Sequence, residues 1–355
     1  MNSSNASISA LPQVAVVTLT YGRRWHLLSA VIAELLQHDT AISDIVVVSN
    51  AAQDNLAERL PQSAMPRVHF VPLAENLGSA EGYARGIRYA SELTDIDLIW
   101  LLDDDNRPQA GALNKLLAAY AILGNNPDCA VAALRQGNRE STLAAHGLMQ
   151  IGIRPNSFLK FHAADLYAKV ARRWRERKIQ NVDAYKSPLT RIGYAPYGGL
   201  LFHRHWVQRI GLPDARYFLY ADDYEYSSRF GINGGAIYLC ASAVVEDLEA
   251  SWYKHRVRVH PLFEEDAKLG RLYYSTRNSA HLEASRFVKS WLVYYFNVAL
   301  YLSALSLQSL LVQRKPRHTL ARLRLILSAL RAGWRGELGA TLPAALQIKI
   351  RSGGL

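Results

Sequence analysis

The stretch Leu98-Ile99-Trp100-Leu101-Leu102-Asp103-Asp104-Asp105 sets an apolar run directly against three carboxylates. A short apolar run bounded by polar residues is the pattern of a strand buried on both faces, and here it predicts a strand over 97–102. In an open α/β sheet, ligands bind beyond the carboxyl ends of the strands, so the triplet sits at a ligand site. Three adjacent carboxylates repel one another unless a cation neutralises them. Hard divalent cations take carboxylate oxygens, and the Asp-x-Asp spacing lets Asp103 and Asp105 reach one ion while Asp104 turns elsewhere. Mg²⁺ is commonly shared between one or two carboxylates and substrate phosphates, which makes a nucleoside diphosphate the natural ligand. The plainer reading, an acidic cap on a helix beginning near Pro108, needs one carboxylate and not three.

Outward from that strand the pattern alternates. Apolar, β-branched runs at 14–19, 45–49, 68–71 and 130–134 predict buried strands, and helical periodicity fills 25–37, 78–93 and 108–123. Strands alternating with helices argue for βαβ units and a mostly parallel sheet flanked by helices. The stretch 136–187 is polar and irregular. A strand is expected again at 197–202, a helix at 205–210 that stops at Gly211, and a strand at 236–239.

A second acidic cluster, Asp222-Asp223-Tyr224-Glu225, opens a helical pattern. Alone it reads as a helix N-terminus favoured by the macrodipole. Paired with the first cluster it suggests a general base for an acceptor hydroxyl. Glu75-Asn76-Leu77-Gly78 leads into a helix with Gly82 and Gly86, a loop suited to phosphate but outside any Walker A or dinucleotide fingerprint.

Half of the 355 residues are hydrophobic and the net charge is +11. Nine Lys/Arg against one Glu fall between Arg314 and Arg351, so most of the basicity belongs to the tail. Such a tail suits an anionic membrane surface. Nucleic-acid binding is disfavoured, because basic and aromatic residues are not interleaved over the rest of the chain. The cluster Lys169–Lys178 reads as a solvated helix face. Residues 291–312 carry no charge and are long enough to span a bilayer, but Asn297, Gln308 and three tyrosines interrupt them. The expected form is a helix in the interface or packed on the main domain. Leu320, Leu323, Leu327, Leu330 and Trp334, flanked by arginines, form a basic amphipathic helix. Cys129 and Cys240 read as buried thiols of a reducing compartment, and the polar N-terminus, 1–12, reads as disordered and not as a signal peptide.

These segments resemble glycosyltransferase family 2, with its GT-A fold, in the branch of bacterial galactofuranosyl- and rhamnosyltransferases. The resemblance rests on Thr18-Leu19-Thr20-Tyr21-Gly22-Arg23, Val46 to Ala51, Glu75 to Gly78, Trp100 to Pro108, Gly211 to Arg229 and Tyr273-Tyr274-Ser275-Thr276-Arg277-Asn278, in that order. It implies a GT-A domain over 13–280, with a nucleotide-sugar-binding half at 13–135 and an acceptor-binding half at 190–280. A helical, membrane-associating or oligomerising region at 281–355 follows. It further implies inverting, metal-dependent transfer of a hexosyl unit. Asp103 and Asp105 would hold Mn²⁺ or Mg²⁺, Asp104 would face the donor sugar, and Asp223 would be the base. Thr18, Tyr21, Arg23, Asn50 and Asn76 would line the nucleotide pocket, and Gly198, Gly199, Asp222, Glu225 and Tyr226 the acceptor side. The family's usual histidine metal ligand is replaced here by Val244-Val245-Glu246-Asp247, so the third ligand falls to Glu246, Asp247 or a histidine such as His255 or His260. The expected donor is UDP-galactofuranose, with dTDP-rhamnose the alternative. The expected acceptor is a lipid-linked surface glycan at the inner face of the cytoplasmic membrane. A catalytically inactive nucleotide-sugar-binding protein is the reading of a different class. A nucleotidyltransferase would need a longer, Gly-rich first loop than Tyr21-Gly22-Arg23-Arg24.

Overall fold

Strand β1 (Val14–Gly22) lies between β2 (Ile42–Ala52) and β4 (Leu98–Asp103), parallel to both, and β3 (Val68–Leu73) adds a parallel edge beyond β2. The computed structural model describes residues 12–38, 41–168, 171, 176, 187–249, 260–264 and 268–343. Residues 1–11, His255, most of the Lys169–Lys178 cluster and 344–355 lie outside them.

Side chains alternate across a strand, and the two parities build two cores. Ala15, Val17, Val46, Ile99 and Leu101 pack under helix α2 (Gly78–Glu92) through Tyr83 and Ile87. Val14, Val16, Val47, Leu98 and Trp100 pack under α1 (Trp25–His38) and α3 (Ala112–Ile122) through Leu28, Val31, Leu113 and Leu116. Both faces are covered, as the continuous apolar runs require.

Beyond β4 the sheet departs from the expected parallel order. β8 (Leu200–His203) runs antiparallel between β4 and β6 (Cys129–Arg135), and β9 (Ala236–Asp247) lies parallel to β6. β5 (Asn106–Pro108) and β7 (Leu189–Ile192) each pair antiparallel with β9. Pro108 therefore ends a strand, and the helix expected from residue 108 begins at Ala112. The polar stretch after β6 holds a short helix, α4 (Arg139–Ala145), capped by the Asn138 side chain accepting from Ser141 N. Helix α5 (His205–Ile210) is followed by α6 (Asp222–Ile232), whose first turn carries the second acidic cluster.

Among the described residues three helices follow: α7 (Leu269–Leu282), α8 (Trp291–Gln313) and α9 (Pro316–Trp334). A Cβ on Gly333 would overlap the Arg277 carbonyl, so α9 lies tight against α7. Helix α8 is long and apolar enough to cross a membrane. Its inward side rests on the protein. Asn297 donates to Asn156 O at 2.9 Å and accepts from Ala163 N at 2.9 Å. Its outward side exposes Leu292, Phe296, Leu307 and Leu311. In α9 the apolar positions divide: Ile326 and Leu330 are buried, while Leu320 and Leu327 face out. Arg322, expected on the basic face, is buried and donates to Glu264 O.

Candidate active site

Register in β1 sets Leu19 beside Asp103, so Thr20 to Arg24 overhang the triplet. Asp104 is 4% exposed. Its carboxylate accepts from Thr20 Oγ1 at 2.7 Å and from Arg24 Nε and Nη2 at 2.9 Å each. Burial raises its pKa, opposed by Arg24 and Thr20. Both oxygens are committed to the first loop, so the expected contact with a donor sugar does not match the geometry. Arg24 also bonds Glu249 at 2.6 Å and stacks over Tyr21 at 5.1 Å, tying this loop to the far end of β9.

Asp103 accepts from the Tyr83 hydroxyl at 2.7 Å, and its other oxygen stands 3.6 Å from Arg135 Nη1. Burial, then the charges of Asp103 and Asp104, push Asp105 up to about 7. A carboxylate held up by burial and like charge is what a bound cation relieves. Asp103 and Asp105 thus fit as two protein ligands of an ion shared with a diphosphate. Among the described residues no three His, Cys, Asp or Glu side chains converge as a closed metal cage.

The β5–β9 pairing sets Asn106 opposite Asp247 and Arg107 opposite Glu246. Adjacent strand residues face opposite sides. Asp247 turns inward, accepting from Asn106 Nδ2 at 3.1 Å and Arg135 Nη2 at 2.7 Å. Glu246 turns outward to Arg107 Nε at 2.6 Å, which removes it as a ligand. His260 accepts from Leu262 N and meets the Tyr301 hydroxyl at 3.1 Å in the C-terminal helical layer.

Asn50 and Asn76 do come together. Asn50 Nδ2 donates to Asn76 Oδ1 and Gly78 O, both at 3.1 Å, and Asn50 Oδ1 accepts from Leu77 N at 2.9 Å. They hold the Glu75–Gly78 loop at the mouth of α2. Tyr21 is exposed at the rim. Thr18 is a correction: it lies inside the sheet between Val47 and Leu102, fully buried, and cannot touch a nucleotide. Arg23 donates to Gln53 at 2.9 Å, so Arg24 and not Arg23 reaches the triplet.

In the second cluster, Asp222 is buried and accepts from Ser79 Oγ at 2.8 Å. Asp223 accepts from Tyr224 N at 2.8 Å and borders a cavity of about 100 Å³ shared with Arg135, Asn138, Glu140, Ser141 and Tyr194. Burial and the Asp222 charge raise Asp223, which is also near enough for Asp103 to raise it and Arg135 to lower it. Arg135, 3.6 Å from Asp103, lines the same cavity as Asp223, so the two clusters lie on either side of it. Tyr83, bonded to Asp103, packs against Tyr197 with ring centroids 4.1 Å apart.

Two residues expected on the acceptor side are corrections. Glu225 is buried and paired with Arg229 and Arg286, and Tyr226 is buried among Tyr197, Phe202 and Phe230. Neither can reach an acceptor. Gly198 borders the triplet instead: a Cβ there would overlap Asn106 Oδ1 and lie 3.0 Å from Asp103 Oδ2. Gly199, at φ +101°, joins β4 to β6 through bonds with Leu101 O and Ala133 N. Sequence reasoning passed over Arg24, Ser79, Tyr83 and Arg135. Of these only Arg135 gives a signal, as a charged residue at the carboxyl end of an apolar strand.

A sheet with an antiparallel insert, helices on both faces and acids at the strand ends is the GT-A architecture of nucleotide-sugar-dependent transferases. The chain belongs to glycosyl transferase family 2, which it matches over residues 15–209. It is 26% identical over 231 residues, 65% of this chain and 69% of the relative, to galactofuranosyltransferase GlfT1 of Mycolicibacterium smegmatis. Among solved structures it is similar to GalNAc-T7 with UDP, GalNAc and Mn²⁺, at a TM-score of 0.51 and 12% identity. That match covers 78% of this chain and about half (51%) of the other. A mannosyltransferase of Pyrobaculum calidifontis, in complex with GDP-Man and Mn²⁺, aligns at a TM-score of 0.47 and 15% identity, over 97% of this chain and 80% of its own. The protein is a glycosyltransferase.

Proposed function

We propose that this glycosyltransferase moves galactofuranose from UDP-galactofuranose, with inversion, to a hydroxyl of a lipid-linked surface glycan. The observation that carries the reading is Arg135, which stands 3.6 Å from Asp103 and lines one cavity with Asp223. Asp103 and Asp105 are the residues to hold Mn²⁺ or Mg²⁺ together with the donor diphosphate. The ion, when bound, supplies positive charge against the departing UDP. The Asp223 carboxylate takes the proton of the acceptor hydroxyl. The new glycosidic C–O bond forms as the anomeric C–O bond to phosphate breaks on the opposite face, and UDP leaves. The 26%-identical relative favours galactofuranose as the sugar.

The same reading places the chain on the inner face of the cytoplasmic membrane. Support comes from the exposed apolar side of α8 beside the basic α9, which suits a helix pair lying against an anionic surface.

The test is UDP or dTDP release from a panel of nucleotide sugars with Mn²⁺. Turnover of UDP-galactofuranose is expected. Turnover of dTDP-rhamnose alone would reassign the donor, and no turnover of any sugar nucleotide would overturn the reading.

A further inference from the structure

The backbone that delivers Asp222 and Asp223 is unusually contorted. Phe218, Tyr220 and Ala221 all have positive φ, at 62°, 70° and 61°. None is glycine, and residues with a Cβ keep this conformation only where the surroundings impose it. What imposes it follows from the carbonyls. Phe218 O accepts from Ala80 N at 3.4 Å, at the start of α2. Tyr217 O, Leu219 O and Tyr220 O all accept from one group, the Asn278 Nδ2 amide, at 2.7, 2.8 and 2.9 Å. Four consecutive carbonyls are thus accounted for, three of them by a single side chain on α7.

The Asn278 amide is itself oriented. Its Oδ1 accepts from Arg277 Nε at 2.9 Å, which leaves Nδ2 to face the loop. Arg277 is 1% exposed, its guanidinium against the rings of Tyr273 and Tyr274 at 5.7 and 5.0 Å. Asn278 is fully buried, and its side-chain hydrogen bonds run to Arg277 and to the loop carbonyls. The segment Tyr273-Tyr274-Ser275-Thr276-Arg277-Asn278, which the catalytic reading leaves without a role, thereby acquires one.

We propose that Asn278, oriented by Arg277, is a positioning residue that sets the Asp223 carboxylate at the reacting face by clamping residues 217–221. The proposal rests on the reading of Asp223 as the base. Misplacement of a catalytic group by about 1 Å costs roughly 10²-fold in rate, so loss of the clamp acts on turnover and spares donor binding.

The test compares Asn278→Asp, which keeps the shape but turns a carboxylate toward three carbonyls, with Asn278→Ser and Arg277→Met. Arg277→Met keeps the clamp and removes only its orienting donor, so it reports even if the Asn278 variants do not fold. Three readouts are used: amide hydrogen exchange of peptides covering 217–224, binding of UDP with Mn²⁺ by calorimetry, and kcat for UDP release from UDP-galactofuranose. Exchange about tenfold faster in those peptides is expected, with UDP affinity within about twofold and kcat down about 100-fold for Asn278. A smaller change in the same direction is expected for Arg277→Met. Unchanged exchange with kcat within about threefold overturns the proposal, as does a loss of UDP affinity that matches the loss of kcat. Asp223→Asn separates the two claims. An inert Asp223→Asn beside normal Asn278 variants defeats the clamp alone, whereas an active Asp223→Asn defeats the base and the clamp with it.

Discussion

Ser79 and Tyr83 stand one turn apart on α2 and donate to different acid clusters: Ser79 to Asp222 at 2.8 Å, and Tyr83 to Asp103 at 2.7 Å. A rigid helix with residues four apart on one face thus fixes the spacing between Asp103 and Asp222, one from each acid cluster.

Asp223→Asn keeps size and removes the proposed proton acceptor. UDP release should fall between about 10²- and 10⁴-fold, the usual worth of a general base. Binding of UDP with Mn²⁺, followed by calorimetry, should persist. Joint loss of binding and turnover would move the base elsewhere.

The pH dependence has a definite sign. A base acts when deprotonated, and burial together with Asp222 raises Asp223. The kcat/KM profile should therefore rise with pH along a limb lying above the ordinary carboxylate range. Asp222→Asn removes the like charge, so the limb should move to lower pH. A limb that stays in place or moves up contradicts the coupling.

Gly78 combines φ +82° with a position where a Cβ would overlap the Phe218 carbonyl. Gly78→Ala should cost about 1–3 kcal/mol of stability, since both strain and a backbone clash must be relieved. A melting temperature within about one degree of wild type would show that the loop yields freely.

Arg135 places positive charge on Asp247 and Asp103. Arg135→Gln should tighten Mn²⁺ binding without donor, by roughly three- to tenfold, because a competing cation is gone. Calorimetry in the absence of nucleotide reads this directly. Weaker binding would make Arg135 a support of the site and not a competitor.

Leu292→Glu with Phe296→Glu adds charge to the exposed side of α8. Sedimentation with vesicles containing anionic phospholipid should drop, and the melting temperature should hold, since surface changes usually stay within about 0.5 kcal/mol. Full-length protein that never sediments removes the membrane reading.

Much of this was legible in the residues, and the exceptions have physical causes. The buried strands β1, β2 and β4 announce themselves because both faces are covered and each carries a continuous apolar run, Val14–Val17, Ile45–Val48 and Leu98–Leu102. The triplet announces itself by the strand it ends. The insertion of β8 was not legible, because pairing Leu98 with His203 is a long-range choice that no local period encodes. β5 escaped for a different reason, its three-residue length. Thr18 and Thr20 share a face of β1, but only Thr20 lies at the end of the strand, so the error was one of depth. Glu225 and Tyr226 follow Asp222 by three and four residues, which puts them with it on the inward side of α6. Helical period alone could have separated them from Asp223. The partners Ser79 and Tyr83 sit in an ordinary amphipathic helix, and nothing local distinguishes them.

The antiparallel β8 has a consequence for how the protein is made. Strands β4 and β6 have no direct pairing; the strand between them is supplied by residues 200–203. A chain emerging from the ribosome must hold two strands of its central sheet with a gap between them until that later segment arrives. Long-range closure of this kind slows folding and leaves strand edges open to wrong partners. The N-terminal part of the sheet therefore cannot be completed by a fragment that stops short of residue 203, and its assembly depends on the segment that carries the chain toward the second acid cluster.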